Sequence, residues 1–178
     1  ETLARFARSH TEVELEVTTG FTRDLMNALG EEFDLVLATQ RAGDGRGEVL
    51  RTERTAWAAS DRHDLSLAGP LPLALLKAPN MYREWALEAL NEAGLGWRIL
   101  FSSSSIGAVE AMAAAGAALT VVKAGTARPG LRLLGTEHGL PALPASEIAL
   151  HLAPGRPGAA ARALSSFLAE ALREGGES

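Results

Sequence analysis

Between Thr11 and Thr18 the apolar residues Val13, Leu15 and Val17 alternate strictly with Glu12, Glu14 and Glu16. A period of two belongs to a strand with one wet face. A Thr18-Thr19-Gly20 turn follows, then a short amphipathic helix over Phe21–Gly30. Asp34–Thr39 differs, because Leu35, Val36, Leu37 and Ala38 are continuous. That run predicts a strand covered on both faces, as in a parallel sheet. The order is a β-α-β unit, whose strand ends and helix N-terminus surround a crevice suited to small ligands. No catalytic motif accompanies it, so it points to recognition of a small molecule ahead of chemistry.

The rest of the chain keeps switching period. A helix opens it, with Leu3, Phe6 and Ala7 on one face and Arg5 and Arg8 on others. After the flexible turn Ala42–Gly47, an extended stretch covers Glu48–Ser60, and a loop with Gly69-Pro70 covers Ser66–Leu71. A strand at Leu73–Leu76, a helix at Met81–Ala93 ended by Gly94, and a strand at Trp97–Phe101 follow. The polar turn Ser102–Ser105 leads to a helix over Ile106–Ala115 and a strand over Leu119–Val122. Gly125–Pro144 is rich in Gly and Pro, Glu147–Leu152 reads as a strand, and Gly158–Arg173 as a closing helix before a frayed tail, Glu174–Ser178. Alternating strands and helices predict an α/β fold with mostly parallel sheets. Each half contains a strand, a polar turn, a helix and an apolar strand, which predicts two similar lobes.

Composition narrows the function. At 178 residues, 47% hydrophobic and 22% charged, the sequence is that of a globular protein. Cysteine is absent, which removes disulfides, Cys-based metal sites and a Cys nucleophile. A net charge of −5 argues against nucleic acid as a direct partner of this segment. The longest apolar run, Ala111–Val122, is too short and too interrupted by Gly116 to span a bilayer. The chain opens inside a helical pattern, as a piece of a longer protein would.

Candidate chemistry sits at strand ends. Thr18, Thr19 and Thr22 precede a helix, where their hydroxyls either hold a polar ligand group or simply cap the helix. Ser102, Ser103, Ser104 and Ser105 also precede a helix; capping needs one serine, and the others make a donor-rich rim. Lys123 ends a strand, where it either pairs with an anionic ligand or is solvated. Thr39 and Gln40 face the same choice. Gly43-x-Gly45-x-Gly47 is no phosphate cradle, because neither a helix nor a Lys-Ser/Thr pair follows it. His10, His63, His138 and His151 lack metal-ligand spacing, and there is no G-x-S-x-G elbow. No catalytic residue, cofactor or metal site is expected.

Taken together, LARFARSHTEVELEVTTG, TRDLMNALGEEFDLVLAT, EVLRTERTAWAAS and PLPLALLKAP resemble the effector-binding domain of LysR-type transcriptional regulators. The likeness continues through REWALEALNEAGLGWRILFSSSSIGAVEAMAAAGAALTVV, GLRLLGTEHGLPALP and EIALHLAPG, so it covers nearly the whole chain in order. It implies two Rossmann-like α/β lobes joined by two crossover strands, as in type II periplasmic binding proteins. Lobe I would be residues 1–54 plus 146–178, and lobe II residues 55–145. A polar or anionic effector would lie between them, touching Thr18–Thr22, Ser102–Ser105 and, in some members, the neighbourhood of Thr39 and Lys123. The family's first strand would precede the first helix and lie between Val13–Val17 and Leu35–Thr39; this sequence does not contain it. It also lacks the N-terminal winged helix-turn-helix through which the family reads DNA.

The leading expectation is therefore a cytoplasmic effector-sensing and dimerisation domain, non-enzymatic and not membrane-bound. A solute-binding receptor of a transporter uses the same architecture, and so do some enzymes. The resemblance also implies a two-fold antiparallel homodimer, with a tetramer as a further option in the full-length protein. Glu1–Thr18 of one copy, through Glu12 and Glu14, would meet Met81–Ala93 of the other, through Met81 and Trp85. The alternative is that Trp85 packs inside its own lobe.

Overall fold

The computed structural model describes residues 2–66, 69–155 and 157–174. In chain order its elements are α1 (Thr2–Ser9), α2 (Thr22–Asn27), β1 (Leu35–Arg41), β2 (Glu48–Glu53), β3 (Thr55–Ser60), β4 (Leu71–Leu76) and α3 (Met81–Glu92). They continue with β5 (Trp97–Ser103), α4 (Ile106–Ala114), β6 (Thr120–Lys123), β7 (Leu131–Leu134), β8 (Ser146–Leu152) and α5 (Ala159–Glu174). The chain divides into two compact units, Glu1–Thr52 with Ser146–Ser178, and Glu53–Ala145. The first division falls just before Glu53, where β2 ends, instead of after Arg54. The extended stretch expected over Glu48–Ser60 is two strands, β2 and β3, separated at Arg54.

Unit 1 carries a three-stranded sheet in the order β1-β8-β2. β1 and β8 are antiparallel, with Leu35 opposite Leu152 and Arg41 opposite Ser146. Leu50, Leu150, Leu168 and Ala169 form its core, where α5 lies on the sheet. At α1, Phe6 is fully buried; its ring stacks on His10 at 4.1 Å and meets Phe167 edge-on at 5.5 Å.

Two expectations fail in this unit. Thr11–Thr18 is not a strand: its alternation survives as half-buried Val13 and Leu15 against exposed Glu12, Glu14 and Glu16, but it joins no ladder. A strand exists only where a neighbour takes its N–H and C=O groups. β1 gives one edge to β8, and no described segment pairs with the other. Nor is β1 covered on both faces, since Leu37 is 43% exposed.

Unit 2 holds an antiparallel trio, β6-β3-β7, and a parallel pair, β4-β5. A Leu73–Leu119 bridge links them, with Leu119 N–H donating to the Pro72 carbonyl and Ala74 N–H to the Leu119 carbonyl, both at 2.8 Å. β3 is buried at all six positions. Trp57, Leu73, Leu90 and Leu119 centre its core, and the Trp57 indole N–H donates to the Pro141 carbonyl at 2.8 Å. β1-β8, β3-β6 and β3-β7 are antiparallel and β4-β5 is parallel, so the mostly parallel sheets expected from element order are not found. Order along the chain does not set direction when β6 and β7 return alongside β3. β7 itself was hidden in the Gly- and Pro-rich stretch. The Ser66–Leu71 loop is described only in part, since Leu67 and Ala68 lie outside the described residues, and strand β4 already includes Leu71. The expected frayed tail lies outside them too, apart from Glu174, which closes α5.

Candidate functional site

In unit 2 the two parallel strands end side by side, each just ahead of a helix. β4 leads through Lys77-Ala78-Pro79 to Asn80, whose side chain accepts the Arg83 N–H at 3.1 Å and caps α3. β5 runs to Ser103, and Ser105 caps α4 by accepting the Ala108 N–H at 3.3 Å. Adjacent strand ends with helix N-termini are the ligand crevice of open α/β sheets. A pocket opens there, walled by Leu75, Leu76, Val109 and Val121, with Ile106 at its rim 61% exposed. Its polar lining is Asn80, Tyr82, Arg83, Glu110 and Thr120. The cavity volume is about 30 Å³, within roughly 300 Å³ of empty space that includes open solvent. Arg83 Nη1 donates to the Leu76 carbonyl at 3.2 Å, holding the first turn of α3 to the end of β4. Thr120 is 1% exposed, and its hydroxyl has no hydrogen-bond partner.

The residues singled out from sequence fall in both units. In unit 1, Thr18 and Thr19 are exposed ahead of α2. They do not cap it: α2 has six residues, its cap position is Phe21, and no side chain caps it. Thr22 and Thr39 are brought together, with the Thr22 hydroxyl donating to the Thr39 carbonyl at 3.4 Å. Gln40 is spent on structure. Its amide N–H groups donate to the Arg46 carbonyl at 2.9 Å and to Glu147 at 2.8 Å, and its oxygen faces His151 Nε2 at 3.2 Å. With both amide hydrogens used, the oxygen accepts and His151 Nε2 carries the proton. Burial, and after it the positive charge of Arg46, lower the His151 pKa from its ordinary 6.5.

In unit 2, Ser102 and Ser104 are exposed, and Ser103 Oγ accepts the Ser105 N–H at 3.1 Å. Ser102 and Ser103 belong to β5, not to the turn. Lys123 is neither solvated nor free for an anion: its Nζ lies 2.9 Å from Glu53, whose side chain is 8% exposed. Trp85 is 4% exposed and meets Tyr82 edge-on at 5.5 Å, so it packs inside its own unit and offers almost no surface to a second copy. Met81 is half-buried, and Glu12 and Glu14 are exposed. Among the described residues, no three His, Cys, Asp or Glu side chains gather to hold a metal ion, and no helix is long and apolar enough to cross a membrane.

The model of the LysR substrate binding domain matches residues 1–173. The chain belongs to this family. It is 36% identical over 113 residues to the HTH-type transcriptional regulator PecT of Dickeya dadantii (strain 3937), covering 64% of this chain and 36% of that protein. To the HTH-type transcriptional regulator DgdR of Burkholderia cepacia it is 27% identical over 156 residues, covering 87% of this chain and 53% of that protein. It therefore spans between about a third and a half of these relatives' lengths. Among solved structures, the regulatory domain of CcmR from Synechocystis PCC6803, in complex with 2-PG, superposes with a TM-score of 0.68 at 14% identity. That match covers 99% of this chain and 89% of that one, and it bears on the fold alone.

Within this LysR substrate-binding domain, none of the contact residues expected from sequence lines the pocket of unit 2. Asn80, Tyr82, Arg83, Glu110 and Thr120 were missed. Pro79-Asn80 ahead of a helical pattern is a readable cap signal for the α3 end. Nothing local marks Thr120, which reaches the pocket through the pairing of β6 with β3, where Thr120 lies opposite Ala58.

Proposed function

We propose that this chain is the small-molecule-sensing domain of a cytoplasmic bacterial transcription regulator, that it is not an enzyme, and that it acts as a homodimer. DNA would be contacted through a separate winged helix-turn-helix domain of the intact protein. The observation that carries the reading is the family match over residues 1–173, and a pocket lined by the end of β4 and the first turns of α3 and α4 supports it. The effector is polar or anionic, since two capped helices of 12 and 9 residues start at that edge. Thr18, Thr19, Thr22 and Thr39 in unit 1 and Ser102, Ser103 and Ser104 in unit 2 remain the proposed further contacts. Effector binding favours one conformation of the domain and so biases the placement of the DNA-binding domains.

The experiment is a thermal-shift screen of metabolites, because a ligand of the native state alone raises the melting temperature. A hit that is bound without turnover supports sensing, and turnover overturns it. For the dimer, exposed Glu12 and Glu14 on an unpaired extended segment and half-buried Met81 are the proposed contacts. Sedimentation of the native chain and of Met81→Glu tests this. A native monomer at micromolar concentration, or an equally dimeric variant, rejects it.

A further inference from the structure

The pocket of unit 2 contains opposite charges that are not spent on each other. Arg83 and Glu110 both line it and both are half-buried. Neither takes part in an ion pair among the described residues, and Glu110 accepts no hydrogen bond there. Elsewhere in this unit Lys123 pairs with Glu53 and Arg132 with Asp64. Deeper in the same pocket, Thr120 presents a buried hydroxyl without a partner, a group that costs about 1–3 kcal/mol to leave unsatisfied. The two helix N-termini alone would favour any anion. The carboxylate of Glu110 and the Thr120 hydroxyl change that preference.

Size limits the choice. The cavity of about 30 Å³ exceeds the roughly 10–15 Å³ that one water needs, so it admits only a small part of a ligand. The rest of the ligand must lie in the open space of the pocket, which Arg83 and Glu110 also line.

We propose that this pocket selects a small zwitterion, an α-amino acid whose short side chain ends in an oxygen. The proposal rests on the sensing reading above. Arg83 keeps one N–H on the Leu76 carbonyl and offers the others to the ligand carboxylate, beside the first turn of α3. Glu110 takes the ammonium group. The side-chain oxygen enters the cavity and exchanges a hydrogen bond with Thr120. The apolar wall of Leu76, Val109 and Val121 leaves room for a methylene and none for a second charge.

Calorimetry on this chain with serine of each hand, alanine, 3-hydroxypropionate and ethanolamine tests the proposal. Serine of one hand should bind at least about tenfold more tightly than 3-hydroxypropionate, which lacks the ammonium, and than ethanolamine, which lacks the carboxylate. Alanine should bind more weakly than serine. Glu110→Gln should erase the preference over 3-hydroxypropionate, Arg83→Gln the preference over ethanolamine, and Thr120→Val the preference over alanine. Unchanged far-ultraviolet circular dichroism of each variant shows that the fold is kept. Equal binding of 3-hydroxypropionate or ethanolamine overturns the proposal, and so does no binding of serine, or selectivities that survive the substitutions. If the metabolite screen finds an effector without these charges, sensing stands and the zwitterion fails; if it finds none, both fail.

Discussion

Gly47→Ala tests the loop that closes the unit 1 sheet, and Gly45→Ala is its control. Both glycines have positive φ, +71° and +67°. A non-glycine residue there costs roughly 1–2 kcal/mol, partly offset by the lower entropy of the unfolded chain. For Gly45 nothing lies within 4 Å of an added Cβ, so the cost stops at about 1 kcal/mol. At Gly47 the same Cβ would sit 2.7 Å from His151 Cε1 and 2.8 Å from both His151 Nε2 and the Leu150 carbonyl oxygen. The carbonyl belongs to β8 and cannot yield without breaking the ladder. The ring can yield only by leaving Gln40, which strands a buried acceptor at about 1–3 kcal/mol. Gly47→Ala should therefore cost roughly 2–4 kcal/mol in total, a large share of the usual 5–15 kcal/mol. Urea unfolding followed by far-ultraviolet circular dichroism reads the difference. Tryptophan fluorescence reports on unit 2 alone, because Trp57, Trp85 and Trp97 all lie there, and a two-state free energy is taken only if the two probes coincide. In the Gly47→Ala/His151→Ala double variant the losses should be less than additive. Equal losses for Gly45→Ala and Gly47→Ala would refute the placement of His151 against this loop.

His151 gives a pH prediction with a definite sign. Its folded pKa lies below the ordinary 6.5, so above that value both folded and unfolded states hold it neutral and its contribution is complete. As pH falls through about 6.5 toward the folded value, the unfolded chain takes up a proton that the folded one resists, and stability is lost. Urea midpoints measured from neutral pH downward should fall more for the native chain than for His151→Gln; parallel curves would show that His151 is not responsible. The serine run gives a sharper test of local structure. Ser105→Ala should cost about 1 kcal/mol as a lost helix cap, while Ser104→Ala should stay within about 0.5 kcal/mol; the reverse order in thermal unfolding would reassign the start of α4.

What sequence could show followed from how local each cause was. α3 and α4 were legible because a helix-length pattern begins at a capping residue, Asn80 or Ser105, and β4 and β6 because each holds a short apolar run. Alternation over Glu12–Val17 gave the half-buried side at Val13 and Leu15 but not at Val17, which is 62% exposed, and it gave the wrong element, since periodicity does not tell whether a neighbouring strand exists. The run Leu35–Ala38 suggested two covered faces, yet Leu37 is exposed, because the strand's outer cover is a property of other segments. β7 is four residues long and carries too little pattern to stand out in a Gly- and Pro-rich stretch. The Gln40–Glu147 and Gln40–His151 contacts join positions 107 and 111 residues apart, which no window can register.

The same reasoning explains why the candidate site was only half legible. Strand ends followed by helix starts are visible in sequence, and the Ser102–Ser105 region was found that way. Which side chains remain for a ligand is a separate question, decided by what the fold consumes. Ser105 is used on the Ala108 N–H, Ser103 on the Ser105 N–H, Lys123 on Glu53, and Gln40 on Arg46, Glu147 and His151. Polar residues that look available in a string are often already satisfied. Arg83 retains donors beyond its bond to the Leu76 carbonyl, Glu110 is unpaired, and the Thr120 hydroxyl is buried without a partner. Unused hydrogen-bonding capacity in one pocket is therefore a better guide to specificity here than polar residues at a strand end, and it comes from three elements, α3, α4 and β6, whose proximity only the folded sheet creates.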